Sequence, residues 1–174
     1  LEAANGTTPL DLSIRARNRE VDGVSLLQNT LIHMQFQVVD PLTGVEGIWE
    51  IEVPNGVYNV NVAVGDPNLD GQEGTEPFHS INVEGESLIN RYEAVGVQGA
   101  ASRFTSASGS FTVTDGKLTI DAFGGTNTKI SALEITQEAI SSQPFFADVN
   151  PANNTNNVAI TSFQINVGVV TPEG

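Results

Sequence analysis

The sequence predicts an all-β fold, an antiparallel β-sandwich of jelly-roll type with a short C-terminal β extension. Three observations carry that prediction. Short stretches alternate apolar and polar residues at period two, turn dipeptides such as Asn55-Gly56 and Asp115-Gly116 separate them, and no stretch sustains a 3.6-residue period. Short, evenly spaced strands of this kind fit a sandwich whose layers each turn one face to a shared core.

Taken in order, Leu10, Leu12, Ile14 and Ala16 alternate with Asp11, Ser13, Arg15 and Arg17, predicting a first strand with a basic outer face. A polar loop around Asp22-Gly23 follows. Residues 30–40 predict a second strand pointing Ile32, Met34, Phe36 and Val38 inward, with His33, Gln35 and Gln37 on the other face. Residues 41–47 turn the chain into IWEIEVPNGVYNVNVAVGD, residues 48–66. There Trp49, Ile51 and Val53, then Tyr58, Val60, Val62 and Val64, predict a central hairpin about Asn55-Gly56, with both aromatics in the core. A long acidic loop, 66–77, leads to a strand burying Ile81 and Val83, with Leu88 and Ile89 in a short return. Residues 91–102 read as loop. A second hairpin is predicted about Asp115-Gly116, setting Phe111 and Val113 against Leu118, Ile120 and Ala122, and a last strand runs over 129–136.

Residues 1–138 thus form one sandwich. Ser141-Ser142-Gln143-Pro144 falls in a linker, 139–146, and 147–174 reads as the start of a second β-domain or a docked tail, too short for an independent sandwich.

A net charge of −14, with only two Lys and five Arg, argues against nucleic acid, since little could neutralise a row of phosphates. It suits solubility and divalent cations instead. No apolar run approaches the length of a membrane span, and the absence of Cys rules out disulfides and thiolate zinc sites. Without an initiator Met or a signal-peptide pattern, the chain reads as processed or as an excerpt.

Gly65-Asp66-Pro67 at the end of the central stretch, HSINVEG at 79–85, TDGKLTIDAFGGTNTKI at 114–130 and NTLIHMQ at 29–35 together resemble the malectin-like domains of bacterial extracellular proteins. The resemblance covers roughly residues 10–136 and implies a jelly-roll carbohydrate-binding module. The strand region that the family carries ahead of Leu10 is reduced here to a few residues. The VNPANNTNNV segment, 149–158, is similar to the opening of bacterial Ig-like domains. Together these imply part of a modular secreted or cell-surface protein.

Two candidate sites stand out. Asp66, Asn68, Asp70 and Gln72 place side-chain oxygens at alternate positions with Gly71 where the chain turns, as in the first half of a calcium loop. Glu76 closes the set, one place before Pro77, which occupies the position of the usual bidentate Glu. The alternative is a solvated acidic loop. For a glycan, an exposed aromatic ring flanked by polar groups is needed, because the C–H face of a sugar packs on the ring while its hydroxyls need partners. Tyr92, with Asn90, Arg91 and Arg103, is the candidate, and Phe78 and Phe104 are lesser ones.

His33 and His79 read as surface or semi-buried strand residues, and Arg15 and Arg17 as a solvated strand face; with Arg19 they could also clasp an anionic polysaccharide. Glu50 and Glu52 lie about 7 Å apart on one strand face, the ordinary outer face of a sheet rather than a catalytic pair, and no nucleophile elbow, metal triad or phosphate loop is present. The sequence therefore predicts no enzyme. It predicts a carbohydrate-binding module or, alternatively, a structural repeat of an adhesin or filament stabilised by calcium. The expected partners are a polysaccharide or other glycan and neighbouring domains.

Overall fold

The computed structural model of the chain describes residues 2–3, 9–35, 46–68 and 77–138, all within the first of its two units, Leu1–Ile140. The expected linker and Ig-like start, the inward positions Phe36 and Val38, and residues 69–76 of the acidic loop lie outside the described residues.

Among the described residues ten strands make two antiparallel five-stranded sheets. They are β1 (Glu2–Ala3), β2 (Ala16–Asn18), β3 (Thr30–His33), β4 (Gly47–Glu52), β5 (Gly56–Gly65), β6 (Phe78–Val83), β7 (Glu86–Glu93), β8 (Phe104–Val113), β9 (Lys117–Asp121) and β10 (Lys129–Gln137). One sheet has the order β1-β4-β9-β6-β7 and the other β2-β3-β10-β5-β8. Successive strands lie in different sheets at β1–β2, β3–β4, β4–β5, β5–β6, β7–β8, β8–β9 and β9–β10, the criss-cross of a jelly-roll sandwich.

One core joins the layers. Tyr58, Val60, Val62 and Val64 of β5 and Phe111 and Val113 of β8 meet Ile81 and Val83 of β6, Ile89 of β7 and Leu118 and Ile120 of β9. The inward residues predicted from alternation in β5, β6, β8 and β9 are the buried ones.

Both predicted hairpins are corrected by the sheet pairing. β4 pairs with β9, and β5 pairs with β8 from Gly56–Val113 to Gly65–Phe104, so 53–55 and 114–116 are arches that carry the chain from one sheet to the other. Alternation is the same in either case, because a strand buries one face whether its successor lies beside it or across the core. The arches are stacked and clamped together. Asn55 Nδ2 donates to the Thr114 carbonyl at 2.8 Å, the Gly116 N–H donates to Asn55 Oδ1 at 2.8 Å, and the Tyr58 hydroxyl donates to the Pro54 carbonyl at 2.8 Å. The two-residue hairpin lies instead between β6 and β7, where Glu84 and Gly85 both have positive φ, as a type I′ turn requires.

The N-terminal segment also departs from its predicted pattern. Leu12–Ile14 is a 3-10 turn, Ile14 is exposed, and Arg15 is buried with its guanidinium donating to the His33 and Met34 carbonyls. In β3, Leu31 and His33 are buried while Ile32 is half-buried. Residues 26–29 form a single helical turn capped by Ser25, and β7 extends through the predicted loop as far as Glu93.

Candidate functional site

A cleft of about 500 Å³ opens between the sheets where β2 and β3 face β4. Among the described residues, β1 pairs with Gly47 and Ile48 at the edge of the first sheet, and β2 and β3 stand at the edge of the other. By register Ala16, Ile32, Ile130 and Val64 share one face, and Val64 is in the core. Ile32, Met34, Ile130 and Leu133 line the cleft from one sheet, and Trp49 of β4, packed against the core, lines it from the other. Arg17, Asn18, Thr30 and Ser131 are its polar lining residues. Three of these already donate to backbone carbonyls: Arg17 to Ile14 and Ala16, Thr30 to Leu26 and Leu27, and Ser131 to Ala63. Asn18 is exposed.

A buried ionic centre is built around Asp66, just past β5. Its Oδ1 accepts from Arg19 Nε and from the Asn68 N–H, each at 3.0 Å, while Oδ2 accepts from Arg19 at 2.5 Å and Lys129 Nζ at 3.0 Å. Arg103 Nε donates to the Asp66 carbonyl at 2.7 Å. Asp66, Lys129 and Arg103 are fully buried. Gly65 permits this approach: a Cβ there, at φ +148°, would lie 2.4 Å from the Arg103 carbonyl oxygen. Burial pushes the Asp66 carboxyl up, but the charge of Lys129 and the hydrogen bonds from Arg19 and Lys129 outweigh it and hold the group below the usual carboxylate value.

Both histidines border this centre. His79 accepts the Lys129 N–H at Nδ1, 3.3 Å away, so its proton sits on Nε2, which has no partner among the described residues. Burial, then the charge of Lys129, pushes His79 down to about 3. His33 Nδ1 lies 3.0 Å from Asn127 Oδ1, and the same two causes in the same order push it down to about 4. Both rings are neutral at pH 7, and the reading of either as a surface residue is corrected.

The predicted glycan residues do not form one surface. Tyr92 lies in β7, paired with His79, its ring packed on the core and its hydroxyl donating to the Ser102 and Phe104 carbonyls at 2.9 and 3.0 Å. Arg103 is the buried strut just described. Asn90 and Arg91 are exposed, but the Arg91 guanidinium lies 4.6 Å from the centre of the Phe78 ring and donates to the Gly124 carbonyl at 2.8 Å. Phe104 is half-buried. Of the predicted calcium ligands, Asp66 has both oxygens engaged by cations and Asn68 Oδ1 accepts from Gln98, while Asp70, Gln72 and Glu76 lie outside the described residues. Among the described residues no group of three or more His, Asp or Glu converges as a metal site.

Sequence reading missed the cleft because Trp49 keeps the core phase of β4, and nothing in its alternation shows that a cleft opens beside it.

No protein-family model and no curated protein matches the chain. Among solved structures it is similar to protein YxiM of Bacillus subtilis, at 20% identity over 72% of this chain and 29% of that one, with a TM-score of 0.41. It is similar to the β-glucuronidase of Bacteroides uniformis at 13% identity over 67% of this chain and 14% of that one, with a TM-score of 0.46. A family 35 carbohydrate-binding module from Clostridium thermocellum matches at 17% identity over 52% of this chain and 68% of that one, with a TM-score of 0.30. The chain spans less than a third of the first two proteins.

Proposed function

We propose that this domain is a non-catalytic carbohydrate-binding module of a secreted or cell-surface multidomain protein, and that a glycan docks in the cleft beside Trp49. The observation that carries the reading is the cleft itself, about 500 Å³, lined mainly by apolar side chains with Trp49 on one side and a few polar residues among them. That size is ordinary for a ligand site, and an indole is the best of the aromatic rings for stacking against a sugar's C–H face. The resemblance of residues 10–136 to malectin-like domains supports the same reading from the sequence side. A glycan array with the whole chain tests it. The expected result is a defined set of bound glycans that Trp49→Ala abolishes while circular dichroism stays unchanged. Binding that survives Trp49→Ala would move the site elsewhere, and an empty array would end the reading.

A further inference from the structure

The geometry points to a narrower ligand class, and the inference rests on the carbohydrate reading above: the cleft takes an aliphatic substituent of a sugar, an alkyl or acyl chain, and leaves the sugar ring at its mouth. Most of its named lining is apolar, with Ile32, Met34, Ile130 and Leu133 on one sheet and Trp49 on the other. A bare pyranose pushed into the cleft would bury several hydroxyls. Thr30 and Ser131 already donate their one hydroxyl proton to main-chain carbonyls, as Arg17 does from one guanidinium nitrogen, and the rest of the lining named above is apolar. An unpartnered buried hydroxyl is costly, whereas each buried methylene is favourable. Asn18, exposed on β2, remains to meet ring hydroxyls in water. The chain's charge of −14 disfavours a free fatty acid or an anionic membrane surface and fits a neutral glycoside or an esterified sugar.

Trp49 is the only tryptophan, so its emission reports this wall alone. The test titrates the whole chain with methyl, butyl, hexyl and octyl β-glucosides, and the matching galactosides, below their micelle concentrations. Calorimetry and Trp49 emission are read together. Affinity is expected to rise about fourfold per methylene until the cleft is full, with a matching emission change. Ala16→Phe, at an exposed lining position, should remove that dependence provided the urea midpoint is unchanged, and Val97→Ser, on an exposed loop outside the lining, should not.

Affinity independent of chain length, with Trp49 still responding, would overturn this inference and leave the carbohydrate reading standing. Length-dependent binding that Ala16→Phe spares, or that leaves Trp49 emission unchanged, would place the chain elsewhere and overturn it as well. Silence of Trp49 toward both octyl glycosides would also overturn it, and the array with Trp49→Ala would then decide the broader reading separately.

Discussion

Asp66 is held by Arg19, Lys129 and a main-chain N–H, and its own carbonyl holds Arg103, so one residue ties the end of β5 to the N-terminal loop, β10 and the segment before β8. Asp66→Asn would leave Lys129 buried beside a neutral amide, and breaking a buried pair from one side costs about 3–5 kcal/mol. The urea midpoint should fall accordingly, by the same amount with and without EDTA, because the lost partners are protein cations. An unchanged midpoint, or a loss seen only with calcium present, would contradict this assignment. His33 and His79 make a second prediction. Their folded values of about 4 and 3 lie below the ordinary 6.5, so between roughly pH 6 and pH 4 the unfolded chain binds protons that the folded chain excludes. Their stabilising contribution is intact above pH 6.5 and is lost as pH falls toward 4, by at most about 2.7 kcal/mol per pH unit for the two protons together. Below that window Asp66, whose value is lowered, adds a further loss as it protonates. Stability measured by urea at pH 7, 6 and 5 should decline, and a flat profile would show that the rings are accessible. Little of this was legible beforehand. Lys129 and Arg103 sit in stretches whose alternation says nothing about charge, and only the fold brings them to Asp66, 63 and 37 positions away in the chain.

At the scale of elements, strand positions and inward faces were readable from β5 onward and misread in the N-terminal segment, and partners were not readable. The predicted 129–136 strand is β10, and the inward faces of β5, β6, β8 and β9 came out as alternation placed them, because burial of one face leaves that imprint on any sandwich strand. The arches were misread as hairpins because Asn55-Gly56 and Asp115-Gly116 are strong turn signals for any tight reversal. Here Asn55 bonds the other arch rather than closing its own hairpin. Asn55→Ala should therefore loosen both arches at once, lowering stability by about 1–2 kcal/mol and raising amide exchange at Gly116 as well as near residue 55. Exchange enhanced at only one arch would contradict the clamp. Nuclear Overhauser contacts should likewise join Glu50 to Thr119 and Asn59 to Ser110, with none along a β4–β5 ladder.

For the whole molecule, the decisive feature among the described residues is the cleft between the two sheets. On the side of β7 and β8, Tyr92 reaches from β7 to the Phe104 carbonyl. On the side of β2, β3 and β4, the cleft is lined by an indole and aliphatic side chains with a few polar residues. The jelly-roll class was legible from periodicity and turns, whereas the cleft is assembled from residues of β2, β3, β4 and β10, which no single stretch encodes. Because the chain has one tryptophan, its indole N–H gives a single resonance, and following it during titration with an array-selected glycan tests the central claim most directly. A saturable shift of that resonance, together with the Ile32, Met34 and Leu133 methyl groups, is the predicted result. Saturable binding that leaves all four unmoved would contradict the account.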